Sequence, residues 1–281
     1  MNNENWTMII TSKRKILDLQ LRELIRYRDL IFLFLKRDFT TQYKQTILGP
    51  LWYVINPIFS TVMYTFVFGQ LAKIGTDSIP QILFYYSGTI LWTFFTSCFN
   101  DGTNLFTQNA GIFGKVYFPR LAVPVSRVFI NSIKFLIQFV MLMGIFAYFI
   151  ISGASLKFSW EMLYLPLIIL WLAAAGIGAG IIISSLTTKY RDLNQLVSFA
   201  LNLAMYATPV VYPLSEIPQR FSWIAYANPV CAPIELFRKL YFGVSSVNMP
   251  MILASIGITI LFVFTGLILF NQNEKNFIDV I

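Results

Sequence analysis

The chain has 281 residues, 57% of them hydrophobic and 12% charged, with a net charge of +8, no histidine and two cysteines. Soluble domains carry about 25% charged residues, so this composition excludes one and points to helices that cross about 30 Å of hydrocarbon. Without histidine the usual proton shuttle and commonest metal ligand are missing. Cys98 and Cys231 are expected at opposite membrane faces, which argues against a disulfide, and their spacing fits no metal site.

Nine of the 21 Lys and Arg fall between Lys13 and Lys44. Beside a membrane entry they read as topology determinants and anionic-lipid contacts, not as a nucleic-acid surface. Met8, Ile9 and Ile10 form too short an apolar run before Lys13 for a signal peptide. Residues Ile16 to Phe39 read as an amphipathic helix in the interface, with Arg22, Arg26 and Asp29 on one face and Leu17, Leu21, Leu24 and Ile25 spread over the other. This gives a segment 1–45 followed by an all-α membrane domain, 46–281.

Six spans are expected in that domain: Leu51–Leu71, Gln81–Asn100, Val125–Ile151, Leu163–Leu186, Leu193–Tyr212 and Met251–Phe270. Basic residues concentrate in the N-terminal segment, in the Asp101–Pro124 connection (Lys115, Arg120) and in Thr187–Asp192 (Lys189, Arg191). The intervening loops offer Lys73 and Lys157, each beside an acid. Both termini are therefore expected in the cytoplasm. On the outer side, Pro213–Pro250 carries two helices too short to span, Ser215–Tyr226 and Pro233–Phe242, which read as re-entrant or interfacial.

Polar residues inside spans are costly and hence informative. Tyr53, Asn56, Ser60 and Tyr64 form one stripe on the first span. Gln195, Ser198, Asn202, Tyr206 and Pro209 form another on the fifth. Either these line a wet, neutral path suited to sugar hydroxyls and pyranose faces, or they link helices to one another. Tyr85, Gly88, Trp92, Phe95 and Phe99 share a face of the second span that could extend the lining or belong to the core. On the third span, Arg127, Asn131, Lys134 and Gln138 share a face. Lys134 either snorkels to the interface or, with Arg127, meets an anionic head group. Gly176 and Gly180, spaced as GxxxG among alanines, predict a close helix–helix approach.

The sequence offers no carboxylate within a predicted span, hence no evident proton or sodium relay. It also lacks GxxxxGK[ST], so any ATP would be bound elsewhere. These absences disfavour an ion channel or secondary transporter. A membrane enzyme acting on polyprenyl lipids is disfavoured by the missing histidine and acidic cluster.

An ordered set of segments carries a family resemblance: ILGPLWYVINP (Ile47–Pro57), FGKVYFPRLAVP (Phe113–Pro124), KYRDLNQLV (Lys189–Val197), ATPVVYP (Ala207–Pro213) and ANPVCAPIELFRKLYFG (Ala227–Gly243). From about Leu30 onward the chain resembles the transmembrane permease subunit of type-2 ABC polysaccharide exporters of the O-antigen, capsule and teichoic-acid group. The resemblance implies a homodimer in the bacterial inner membrane with two cytoplasmic ATPase subunits. ATP and Mg would sit on those partners, with no cofactor, metal or catalytic residue on this chain. The substrate implied is an undecaprenyl-diphosphate-linked polysaccharide; teichoic acid, a lipid or a small lipophilic drug is the alternative. A coupling helix to the ATPase maps to about Asn104–Pro119, with Asn104, Phe113, Lys115, Tyr117 and Phe118 as its contacts. The outer re-entrant helices would gate the path through Pro213, Ile217, Phe221 and Ile224.

Overall fold

A computed structural model describes residues 25–43, 49–113, 118–154, 156, 159–187 and 192–276, and all regular elements among them are helical. In chain order they are α1 (Arg28–Tyr43), α2 (Trp52–Tyr64), α3 (Gln81–Thr103), α4 (Leu105–Phe113), α5 (Ala122–Ile151), α6 (Leu165–Thr187), α7 (Leu193–Tyr206), α8 (Ser222–Ala227), α9 (Cys231–Phe242) and α10 (Met249–Asn276), with short 3₁₀ turns between some of them. Residues 16–24 of the expected interfacial helix lie outside the described residues, as do Lys115, Tyr117, Lys189 and Arg191.

Five stretches are long and apolar enough to cross a membrane: Gly49–Leu71, Gln81–Thr103, Ala122–Ile151, Trp160–Thr187 and Met249–Asn271. They match five of the six expected spans and make this a multi-pass membrane protein. The expected fifth span, Leu193–Tyr212, is helical only over Leu193–Tyr206, roughly 21 Å at 1.5 Å per residue. Thr208 precedes Pro209, and a residue before proline is pushed out of the α region, so the chain leaves the helix in turns. The same rule divides the expected Ser215–Tyr226 helix. Ile217, before Pro218, is extended, separating a 3₁₀ turn at Leu214–Glu216 from Gln219–Phe221 and α8. α9 is one helix, ended by Gly243 at φ +74°, a left-handed position that glycine adopts without strain.

The first span changes its winding along its length. A 3₁₀ turn at Gly49–Leu51 leads into α2, and a π-helical turn, Thr65–Leu71, continues it to the loop before α3. α2 carries Pro57 in its interior, buried, with no N–H for the helical ladder.

α3 is the hub. Sixteen of its 23 residues are buried, whereas the first span and α10 are mostly uncovered. Its main neighbour is α6, whose other side packs on α10, while α5 and α2 cover the rest of α3. Glycines set the spacing. A Cβ on Gly176 would lie 2.8 Å from the Phe95 carbonyl oxygen and 2.9 Å from Cys98 Cβ, and one on Gly180 would collide with the Phe99 carbonyl. From the facing side, a Cβ on Gly102 would lie 2.9 Å from the Ile177 oxygen. One residue round the α6 surface, Gly178 meets α10 at Phe262 and Val263, and Gly266 answers it from α10. The predicted close approach at Gly176 and Gly180 is thus the α3–α6 contact, and Gly178 adds a second.

Hydrogen bonds fasten the bundle where lipid supplies no driving force between helices. Tyr86 donates to the Gln138 carbonyl at 3.2 Å, the Gln138 amide donates to the Tyr53 carbonyl at 2.8 Å, and the Trp171 indole N–H donates to Thr259 Oγ1 at 3.0 Å. These three bonds join α3 to α5, α5 to α2, and α6 to α10. α1 lies across α5, with buried Phe34 edge-on to Phe118 at 5.6 Å.

Gly180→Val should force α3 and α6 apart and lower stability by about 1–3 kcal/mol, the usual cost of overpacking. Gly257→Val, in α10 with open space around the added atoms, should do far less. Thermal unfolding of the detergent-solubilised variants checks the contrast; equal loss at both sites would mean that the α3–α6 spacing is not limiting.

Candidate functional site

Two helices carry polar faces that the fold leaves uncovered. On the first span Asn56 is exposed and Ser60 half-buried; Tyr64 is half-buried with its hydroxyl 3.5 Å from Met205 Sδ on α7. On α7, Gln195, Ser198, Asn202 and Tyr206 are all exposed. Four of the five polar or aromatic positions singled out there thus point away from this chain's core, while Pro209, in the turn beyond the helix, is buried. Exposed carboxamides on helices within an apolar bundle cannot be left facing lipid cheaply. They require water, a ligand or a second protein surface.

Between α3 and α7 lies a cavity of about 210 Å³ lined by Trp92, Thr96, Asn100, Ser198, Leu201 and Asn202. It brings together three residues singled out from separate spans: Trp92, Ser198 and Asn202. Tyr85 is placed elsewhere. It is wholly buried in the main core, its ring edge-on to Phe84 at 5.4 Å. Phe95 and Phe99 belong to the same core.

At the α4 end of the bundle, charged groups from three helices converge. Arg127 Nη2 lies 3.4 Å from Asp38 Oδ2, tying α5 to α1. Asn131 donates to Asp101 Oδ2 at 2.7 Å, and the Lys134 ammonium sits 5.2 Å from the centre of the Tyr53 ring. Arg127 and Lys134, the two head-group candidates, therefore sit in a built electrostatic cluster. Asp101 corrects the expectation that no span contains a carboxylate. α3 runs three residues past Asn100, and the extra turn carries Asp101 into contact with Asn131.

The connection after α3 folds as the helix α4. Asn104 caps the junction, its side-chain amide donating to the Asn100 carbonyl at 3.0 Å. Leu105 and Phe106 are buried, so α4 is anchored at its start. Phe113 is its last residue, and Phe118 packs against Phe34 after the connection.

At the opposite end, Pro213 is buried, Ile217 and Ile224 are half-buried and Phe221 is exposed. Ser215 donates to Asp77 at 2.8 Å, linking this segment to the loop before α3. Beneath it lies an element that was not singled out from sequence: Glu235 and Arg238 on α9, both essentially inaccessible, form a 2.8 Å ion pair. Arg238 also donates to the carbonyls of Pro209, Val210 and Phe84, and its guanidinium stacks 3.6 Å above the centre of the Phe84 ring. Ser245 donates to the other Glu235 oxygen at 2.8 Å. Burial lowers the Arg238 guanidinium from its ordinary value, and the adjacent Glu235 charge opposes that shift. The available signal was a Glu and an Arg at i, i+3 in an otherwise apolar helix, where an unpaired charge is too costly to keep.

Arg238→Met should cost about 3–5 kcal/mol, the usual penalty for stranding one member of a buried pair. Glu235→Gln should cost less, since the backbone carbonyls around Arg238 remain as acceptors. Melting temperatures of the two variants in detergent give the order; the reverse order would mean that the carboxylate, not the carbonyl cage, holds the arginine.

Comparison with known proteins agrees with this architecture. The family model described as ABC-2 type transporter matches residues 29–242. An O-antigen export system permease protein RfbA of Klebsiella pneumoniae is 32% identical over 256 residues, covering 90% of this chain and 95% of that protein. A namesake from Myxococcus xanthus is 22% identical over 92% of this chain and 98% of its own length. The polysialic acid transport protein KpsM of Escherichia coli is 22% identical over 85% of this chain and 91% of its own.

Proposed function

Because the chain belongs to the ABC-2 type transporter family, whose permeases work beside an ATPase subunit, we propose that it forms the path by which lipid-linked, O-antigen-like polysaccharide leaves the cytoplasm. The observation that carries this is the pair of uncovered polar faces on the first span and α7. A second copy of the chain would enclose those faces and turn two costly surfaces into one wet channel. α7 with the turns after it would make the sixth crossing, and both termini would lie in the cytoplasm. The names of the relatives point to glycans as the cargo class. An exporter of lipid or lipophilic drug would favour an aliphatic path, against which Asn56, Gln195 and Asn202 weigh.

In this reading ATP and Mg are bound by two cytoplasmic partner subunits, and this chain is no enzyme. α4 and the residues up to Pro119 receive the partner's motion. Their anchorage at Leu105 and Phe106 would carry a push directly into α3, the most buried helix. Arg127 and Lys134 would meet the diphosphate as the carrier lipid approaches from that side. The segment around Pro213, Ile217, Phe221 and Ile224 would close the far end, steadied by the Arg238 cage.

The channel reading is tested by export of glycan from cells carrying single substitutions. Ser60→Leu and Asn202→Leu should reduce export severely, since an aliphatic wall replaces partners for sugar hydroxyls. Tyr64→Ala should slow it only modestly, one aromatic contact being worth about 1 kcal/mol. All three should leave dimer assembly intact. Loss of assembly with no separable export defect would make the stripes packing surfaces.

Orientation and coupling are tested together. Gln108→Cys, exposed on α4, should crosslink to the ATPase subunit and stay unlabelled by an impermeant maleimide on intact cells. Ser246→Cys should label from outside. Outside labelling at position 108 would invert the topology and remove α4 from the ATPase surface.

A further inference from the structure

We propose that the cavity between α3 and α7 is a binding subsite for one neutral sugar ring of the transported chain. Trp92, Thr96 and Asn100 are spaced by four along α3, and Ser198, Leu201 and Asn202 by three and one along α7, so each set shares a helix face. The two faces meet across about 210 Å³. That is below the roughly 300–1,000 Å³ of sites for drug-sized ligands, hence space for one ring and not for an oligosaccharide.

The lining selects the chemistry. It contains no Lys, Arg, Asp or Glu, so neither a phosphate nor a metal ion has a charged partner there. Four of its six side chains are polar, which disfavours an acyl chain. The carboxamides of Asn100 and Asn202 form no hydrogen bond among the described residues, while Thr96 already donates to the Trp92 and Thr93 carbonyls at 3.1 Å and is left as an acceptor. Two free amides on opposite walls offer donors and acceptors to ring hydroxyls, and Trp92 with Leu201 supplies apolar wall for C–H groups. Both amides are exposed in the single chain and hold no bond that a ligand would have to displace, so this pair is open to one. It rewards a ligand that presents hydroxyls in both directions.

The subsite rests on the reading of the chain as a glycan exporter, and the experiment separates the two. Leu201→Cys is placed in a Cys98→Ala/Cys231→Ala background that still exports, and the permease–ATPase complex is reconstituted in nanodiscs without ATP. The rate of thiol modification by a small methanethiosulfonate is measured with undecaprenyl-diphosphate bearing a short oligosaccharide, and with undecaprenyl diphosphate alone. The sugar-bearing lipid should slow modification roughly fivefold at about four times its Kd, by the 1 + [L]/Kd occupancy relation. The bare lipid should not. Asn100→Ala with Asn202→Ala should abolish protection while the complex keeps its elution volume. If the sugar-bearing lipid stimulates ATP hydrolysis and is exported yet gives no protection, the subsite is wrong and the exporter reading stands. Equal protection by the bare lipid also overturns it, assigning the cavity to the carrier. If the lipid-linked glycan neither stimulates hydrolysis nor is exported, the exporter reading fails and the subsite falls with it.

Discussion

The close approach of α3 and α6 governs the rest of the molecule. In a bilayer, helices gain nothing by hiding apolar surface from lipid, so contact must come from van der Waals packing and hydrogen bonds at short range. Gly102, Gly176 and Gly180 let two backbones approach until carbonyl oxygens and Cα atoms touch. That contact buries α3 and fixes its direction. α2 and α5 then lean on its remaining surface, and α10 closes the far side of α6 through Gly178 and Gly266. In the proposed coupling, motion of α4, one residue beyond the end of α3, would pass directly into this hub.

Around this hub the polar groups fall into two populations that differ in whether the fold has already satisfied them. Arg238, Glu235, Asn131, Asp101 and Gln138 have partners at 2.7–3.4 Å within the chain. They fasten one element to another: α9 to the 209–210 turn, α3 to α5, and α5 to the first span. Asn56, Gln195 and Asn202 are exposed instead. The two terminal nitrogens of Arg238 are met by three carbonyls and a carboxylate, and its plane by an aromatic face, whereas these amides find no hydrogen-bond partner among the described residues. In the proposed reading the first group holds the fold together and the second faces the transport path.

Much of this was legible from residue order. Long charge-free runs located five spans, since 18 or more apolar residues have few other uses, and the small-residue spacing at Gly176 and Gly180 named the tightest contact. What escaped were consequences of proline and of tertiary distance. Pro209 and Pro218 cut helices that their hydropathy would have extended, so α7 is short and the segment after it is broken into turns. Asp101 looked like a loop residue because hydropathy stops at Asn100, while the helix continues to Thr103 around an Asn131 contact 30 positions away. Tyr85 and Trp92 share a sequence pattern and both belong to the main core, yet only Trp92 also borders the cavity. Seven residues along a helix amount to two turns less about 20°, so the two side chains point almost the same way, and their level along α3 decides what each one meets: α7 for Trp92, the Arg238 cage for Tyr85.

The two ends of the bundle are held by different physics, and this bears on which can move. Where α9 meets the start of α3, Arg238 is buried, and separating it from Pro209, Val210 and Phe84 would strand a charge in a dry site. Such a contact behaves as a two-state latch, made or broken as a unit. At the α4 end the ion pair of Arg127 with Asp38 is partly open to solvent, with side-chain exposures of 23% and 13%. Arg127 can turn to water while Asp38 keeps its 2.7 Å contact with Arg37, so α1 can shift against α5 at a smaller cost than opening the Arg238 cage. In the exporter reading, the more yielding end is the one where an ATPase and a carrier lipid would arrive, and the stiffer one is the end where premature opening would leak.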